Sequence, residues 1–427
     1  MYQTCESDCN WCMGQIITKK NLFTEYLLVG FTILWSGGFF SYGLFPDWPY
    51  VLFLLALIIL LKRGLKLEDK YIFVIFAFSL IAMIQSIFYK GTFTSIFLPT
   101  FRLLGLAMVA AIVRPNLSHI FIRITTFIAF FGLAFWIVDS SPAGHAFLLN
   151  VAKVLPQFGA DKLSDANFER YGYVNYTLYF YTVSSNEMEL IGFMHRNYGP
   201  FYEPGRFTIP LSIALAMILF TGNYKKYKTH FYIIFIANLT TYSTTGYLTM
   251  IALFTGYYIG RTDVSIIHKI VMLVFVIIIA LLTMSLDFMG DKISSALNDT
   301  DIANSRFGAM YYHLPQIMRS PMIGHGAFLG KVYADLDMSP CGITDMMRRW
   351  GVPMFFVCVI LLYQGTRSYL VDKRVYRIVF LIILLFNAYT QTVMFDPLYI
   401  LLYFIGSNKE CKQTTNANRM KIKPYTF

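Results

Sequence analysis

The sequence predicts an all-α polytopic membrane protein of about twelve transmembrane helices, with two large loops on one face. Three observations point there. Of 427 residues, 56% are apolar and only 14% charged, and the mean hydropathy is positive. Apolar runs approaching the ~20 residues needed to cross a bilayer recur along the chain. Finally, Lys and Arg fall in short clusters between those runs, the pattern of cytoplasmic loops.

In order, the expected spans are 22–40, 50–61, 71–89, 93–113, 120–138, 207–221, 231–242, 247–260, 264–286, 346–363, 376–388 and 393–404. Lys19 and Lys20 precede the first, with no short apolar segment and small-residue cleavage site ahead of it, so that helix is expected to be an uncleaved anchor. Lys62, Arg63, Lys66 and Lys70 divide the second from the third, and Arg114 the fourth from the fifth. The fifth stops before Asp139. The sixth starts after Glu203, Pro204, Gly205 and Arg206 and is followed by Lys225, Lys226 and Lys228. A hydroxyl-rich stretch, 240–247, turns the seventh into the eighth, and Arg261 and Lys269 flank the start of the ninth. The ninth gives out before Asp287, and the tenth starts beside Asp345. Arg367, Lys373, Arg374 and Arg377 divide the tenth from the eleventh, and Lys409, Lys412, Arg419, Lys421 and Lys423 follow the last.

Counting alternate sides from a cytosolic start puts every one of these basic clusters on the same side, which agrees with the positive-inside rule. Both termini are then cytoplasmic, with residues 406–427 a basic tail, and the whole chain 1–427 forms one integral membrane domain. The same count leaves two long outer segments, 139–206 and 287–345, as the places large enough for a catalytic surface. The first is rich in Tyr, including Tyr171, Tyr173, Tyr176, Tyr179 and Tyr181, a composition that suits either sugar stacking or an interfacial aromatic belt.

The excess of 35 basic over 24 acidic residues does not imply nucleic acid, because no basic face is interleaved with stacking aromatics outside the spans. Cys5, Cys9 and Cys12 have a spacing like that of an iron–sulfur loop in radical enzymes. That loop belongs to a large soluble barrel for which this chain has no room, and a three-thiolate site has no evident fourth ligand for zinc. Neither metal nor cofactor is expected.

Charge is scarce, so its clusters carry information. The segment from His195 to Arg206 brings together Arg196, Tyr198, Glu203 and Arg206 before an apolar run. Pro204 fixes the start of the helix and Gly205 allows close backbone approach, so Glu203 is held at a defined point, as a general base or as an ion-pair partner. Arg102 lies within the fourth span, and a guanidinium there suits a phosphate or an internal ion pair. Thr244 belongs to the hydroxyl-rich hairpin Ser243, Thr244, Thr245, Gly246, Tyr247, which either lines a cavity or satisfies freed backbone. In the second outer segment a helix over about 305–318 puts Arg306 and His313 on one face. The run Arg319, Ser320, Pro321, Met322, Ile323, Gly324, His325, Gly326 ends it in a tight turn, and Asp345, Arg348 and Arg349 follow. Cations dominate this set, which fits an anionic substrate. A clustered acidic metal site is not evident.

These elements resemble the O-antigen polymerase and ligase superfamily. The resemblance rests on Phe201, Tyr202, Glu203, Pro204 and Gly205 before a span, on the 243–247 hairpin, and on Arg306 with the 320–326 turn, in that order within a many-span layout. It implies a GT-C-like fold with two large periplasmic loops in the bacterial inner membrane. The implied activity is inverting, metal-independent glycosyl transfer at the periplasmic face from undecaprenyl diphosphate carriers. By motif position it assigns Arg196, Arg206 and Arg306 to the diphosphate. Glu203, His313 and Asp345 are the candidate bases, in that order, because the His–Asn pair of the ligases is replaced here by Cys341, Gly342, Ile343, Thr344 and Asp345. That departure favours a surface-polysaccharide polymerase over a ligase. A chain-length regulator and a flippase are the implied partners. A flippase or exporter is the rival from another class.

Overall fold

The computed structural model describes residues 19–38, 48–89, 93–157, 174–185, 195–271, 274, 306–326, 341–370 and 373–406, except for the side chains at 19–21, 93–95, 306–309, 311 and 369. It is mostly helical. The elements used below are α1 (Lys19–Leu34), α2 (Trp48–Lys62), α3 (Asp69–Phe88), α4 (Phe93–Val113), α5 (Leu117–Asp139), α6 (Pro142–Val154), β1 (Asn175–Thr177), β2 (Thr182–Ser184), α7 (Pro204–Phe220), α8 (Lys228–Thr240), α9 (Thr244–Gly260), α10 (Arg306–Arg319), α11 (Gly342–Trp350), α12 (Val352–Tyr369), α13 (Arg374–Thr390) and α14 (Pro397–Phe404).

Three stretches, Asp69–Phe88, Ile96–Val113 and Leu117–Asp139, are long and apolar enough to cross a membrane, and shorter apolar helices accompany them. Surface chemistry agrees with a lipid surround. On α2, Val51, Leu54, Leu55, Ile58 and Leu61 are exposed, and on α3 so are Ile72, Phe73, Phe76, Leu80, Met83 and Ile87. These follow the helical repeat as continuous apolar stripes, which water disfavours and hydrocarbon does not.

Two helices organise the interior. In α7 all 17 residues are buried, because it packs on α5, α8, α9 and α13 at once. Asn387 Nδ2 donates to Ser212 Oγ at 3.1 Å across the α13–α7 contact. The eight residues of α14 are likewise all buried, against α4, α12 and α1, and Leu398 N donates to Ser36 Oγ at 2.7 Å.

The ends of the bundle differ in chemistry. At one end Glu25 accepts from Arg63 at 2.7 Å and from Asn116 at 2.9 Å, and Glu68 pairs with Arg114 at 2.5 Å and Lys70 at 2.8 Å. There too Lys373 Nζ reaches the Gly260 carbonyl at 3.2 Å, and His119 and the Tyr227 hydroxyl share a hydrogen bond of 2.7 Å. The basic clusters that the sequence separates by whole spans thus meet at one end. The other end carries the starts of α7, α11 and α14 and the ends of α3, α5 and α13.

The expected segmentation differs from the structure in three places. The run 346–363 is two helices, α11 and α12, meeting at Gly351 with φ +83°; a Cβ there would lie 2.3 Å from the Met322 carbonyl oxygen, so only glycine brings the two elements together. The run 22–40 stops being helical at Leu34, and Gly38 then bridges to Phe201. The run 393–404 begins with a turn, and its helix starts only at Pro397. The run 264–286 lies mostly outside the described residues, as do the tail 407–427 and Cys5, Cys9 and Cys12.

Candidate functional site

The centre of the polar end is built on the first turn of α7. Glu203 is its cap, with extended backbone (φ −132°, ψ 144°), and Pro204 supplies the fixed φ that opens the helix. Arg206 then points into the turn between α13 and α14. Its Nε donates to Gln391 Oε1 at 3.1 Å, one terminal nitrogen to Asp396 Oδ2 at 2.5 Å and the other to Thr392 Oγ1 at 3.0 Å. Gln391 turns its amide nitrogen to Glu203 Oε2 at 3.0 Å, so one side chain couples the guanidinium and the carboxylate. A Cβ on Gly205 would lie 2.9 Å from that amide nitrogen, which is the close approach the sequence anticipates.

Beside this turn a small hollow, open to solvent, is lined by Gly342, Asp345, Met346, Arg349, Trp350, Thr392, Met394 and Phe395. Trp350 and Phe395 stack at 4.9 Å and 21°, and Phe78 meets Trp350 edge-on at 5.1 Å, so one wall is aromatic. The opposite chemistry comes from α11. Asp345 Oδ1 accepts from Arg348 Nε at 2.8 Å, and both of its oxygens accept from Arg349 Nε at 3.0 Å. The fully buried Arg348 also donates to Gln316 Oε1 at 3.2 Å. Arg102, halfway along α4, lies over the rings of Trp48 and Phe395 at 5.1 and 5.8 Å. Its Nε is shut off from water and finds no acceptor among the described residues. Of these guanidiniums only that of Arg349 lines the hollow; Arg206 is bonded to Thr392 and Arg102 lies over the ring of Phe395, two residues of its wall.

The turn after α10 fastens this arrangement to α3. Gln85 Nε2 donates to the carbonyls of Ile323 and Arg349 at 2.5 and 2.8 Å. At His325, Nε2 donates to the Gln316 carbonyl at 3.1 Å and Nδ1 shares a 2.8 Å hydrogen bond with the Tyr89 hydroxyl. His313 shares a 2.6 Å hydrogen bond with Thr344. Burial, with the nearby guanidiniums of Arg348 and then Arg349, pushes its imidazole down to about 4, so it is neutral at neutral pH and a weak base.

Of the three candidate bases, Glu203 is exposed on the polar face, Asp345 lines the hollow between two arginines, and His313 is buried at 3% exposure. Among the substrate-binding candidates, Arg206 and Arg102 touch the wall of the hollow at Thr392 and Phe395 without being among the residues that line it. Arg196 donates to the Thr241 carbonyl at 3.2 Å, at the α8–α9 turn. Tyr198 is buried at 3% exposure and is packing rather than an open sugar platform. Thr244 is half-buried at the start of α9, where Ser243 Oγ accepts from Gly246 N and caps the helix. The side chain of Arg306 lies outside the described residues. Reasoning from sequence missed Gln391, Thr392 and Asp396; the signal was a short polar interruption, 390–396, between two apolar runs, easily absorbed into the next span.

In the first outer segment, α6 and the β1–β2 hairpin share a small apolar cluster, Leu148, Ala152, Leu178, Tyr181 and Val183, packed against Phe135 and Trp136 of α5. Tyr181 donates to Asp139 Oδ2 at 2.8 Å, and burial beside that carboxylate holds its phenol well above the usual range. Tyr176 belongs to β1, paired with Val183, and Tyr179 is in a turn with φ +68°, so these three serve the local fold, whereas Tyr171 and Tyr173 lie outside the described residues. Compared with known proteins, the chain matches no family model, no curated protein and no solved structure.

Proposed function

We propose that this chain is a surface-polysaccharide polymerase (O-antigen or capsule) of the bacterial inner membrane. It transfers a growing glycan from undecaprenyl diphosphate to the next lipid-linked repeat unit at the outer face. The observation that carries the reading is Arg349 on an aromatic-walled hollow at the end of the bundle away from the basic clusters, with Arg206 bonded to Thr392 and Arg102 over Phe395 in that hollow's wall. Permanent, planar cations suit a diphosphate, and an aromatic wall suits a sugar ring or a prenyl chain.

In this reading the acceptor hydroxyl attacks the anomeric carbon of the donor sugar from the face opposite the diphosphate. The C–O bond to the carrier breaks with inversion, and the electron pair leaves with the diphosphate. Arg102, Arg206 and Arg349 meet that developing charge. Glu203, exposed and steered by Gln391, takes the hydroxyl proton. Asp345 orients Arg348 and Arg349 rather than acting on substrate. His313, with its imidazole held near 4, keeps α10 on α11.

Purified protein given lipid-diphosphate-linked repeats, without a membrane gradient, is expected to lengthen the glycan. Arg349→Ala is expected to lower the rate by about 10²-fold, the loss typical of deleting one charge-stabilising donor. Translocation without glycan growth, or transfer to lipid A core in place of a repeat unit, contradicts the polymerase reading.

A further inference from the structure

The polar end carries a second cluster that the proposed reaction does not use. Asp139 at the C-terminus of α5, His145 in the first turns of α6 and His195 after the hairpin bring one ligand atom each to within 4.8 Å of one another. The carboxylate is 2% exposed and His195 9%. Their geometry is set by the surrounding fold. Ser141 Oγ accepts from Gly144 N and caps α6, the Trp136 indole donates to the His195 carbonyl at 2.7 Å, and Tyr181 holds Asp139 Oδ2 at 2.8 Å. His145 Nδ1 meets Asp139 Oδ1 at 2.8 Å, and the two imidazoles stack at 4.0 Å and 13°. Stacked rings keep their in-plane lone pairs in separate parallel planes, so one imidazole must turn out of the stack for both to reach a common ion.

We infer that Asp139, His145 and His195 form a binding site for a divalent transition-metal ion of the zinc class, joining the first outer segment to the bundle. Two imidazoles and one carboxylate are a donor set that zinc takes, with a fourth position for water or another oxygen. Tetrahedral zinc, with bonds of about 2.0–2.1 Å, holds its ligands about 3.4 Å apart. From ligand atoms within 4.8 Å of one another, closure requires rotation of at least one imidazole out of the stack. The ion replaces the proton between Asp139 Oδ1 and His145 Nδ1, and that proton moves to Nε2 of the same ring. Tyr181 keeps its bond to Oδ2, the outer-sphere support that usually accompanies a ligating carboxylate. The three ligands come from chain segments on either side of 158–194, so the ion fastens that stretch at both ends. This role is independent of the glycosyl-transfer reading.

The test uses the full chain in nanodiscs, with a tag free of histidine and with Cys5, Cys9 and Cys12 changed to Ser so that thiolates do not compete. Zn²⁺ alone is added, excess is removed by desalting, and bound metal and thermal midpoint are measured. One equivalent per chain and a chelator-reversible rise in midpoint are expected. His145→Gln, His195→Gln and Asp139→Asn should each lose the bound equivalent, and Tyr181→Phe should weaken it by about tenfold. Co²⁺ in place of Zn²⁺ should give a visible band absent from the three ligand variants. If the parent retains no zinc and shows no shift, the site is refuted, whatever the variants do. It is equally refuted if well-folded ligand variants retain as much zinc as the parent.

Discussion

Replacing Arg206 with Ala removes the cation that three groups in the α13–α14 turn are arranged around. Deleting one partner of a buried ion pair typically costs ~3–5 kcal/mol, because the remaining charge is left without compensation. Asp396 keeps 23% of its side-chain surface accessible, so water recovers part of that loss, and about 2–3 kcal/mol is the figure expected here. Gln391 and Thr392, both neutral, can turn to solvent and add little. Asp396→Ala leaves Arg206 with those two acceptors and should cost less, about 1–2 kcal/mol. The double variant Arg206→Ala with Asp396→Ala removes both charges and should be at least about 1 kcal/mol more stable than the sum of the single losses implies. Unfolding in mixed micelles, with all four proteins measured side by side, reads this cycle directly. An Arg206→Ala protein within about 0.5 kcal/mol of the parent, or strictly additive losses, refutes the pairing.

Four further outcomes are expected. The depressed imidazole of His313 stabilises the fold fully above the ordinary histidine range, near pH 6.5, and that contribution is lost as pH falls towards about 4, by up to about 3 kcal/mol; the midpoint of His313→Gln should therefore fall less than the parent's between those pH values, and parallel curves would count against it. Gly351→Ala forces an L residue to φ +83° and a Cβ 2.3 Å from the Met322 oxygen, so a loss of about 2 kcal/mol is expected in the same unfolding assay. Gln85→Leu leaves the Ile323 and Arg349 carbonyls without their donor and should expose the 320–326 turn to limited proteolysis; unchanged cleavage would mean that other contacts hold it. Cysteines placed at the exposed positions Lys153 and Lys226 should react with an impermeant thiol reagent from opposite sides of a sealed vesicle, and labelling of both from one side contradicts the arrangement of the two ends.

Much of the fold was legible because hydrocarbon enforces simple rules: long apolar runs become helices, and Lys and Arg gather at one end. The limits of α4 agree with expectation at both ends, as its apolar run fills the helix. The site was harder to read because its geometry is tertiary. Arg206 was recognisable as a charge at a helix start, but its partner Asp396 is 190 residues away, and no local pattern links them. The break at Gly351 was hidden for a related reason: the amphipathic α11 and the apolar α12 read as one run until the Met322 carbonyl forces them apart. Asp139, His145 and His195 form no recognisable motif, since a hairpin lies between the second and third. His313 looked like a candidate base from its spacing, whereas its actual surroundings are cationic and dry.

Whether the guanidiniums in and behind the wall of the hollow grip a lipid diphosphate is read most directly from binding. Undecaprenyl diphosphate, the monophosphate and the neutral alcohol are offered to the protein in nanodiscs and bound lipid is counted by native mass spectrometry. One diphosphate per chain is expected, with weaker monophosphate and no alcohol. Both Arg102→Met and Arg349→Ala should lose at least about tenfold in diphosphate binding, each charge-assisted contact being worth more than ~1.4 kcal/mol. Equal retention of all three lipids, or undiminished diphosphate binding in both variants, contradicts it.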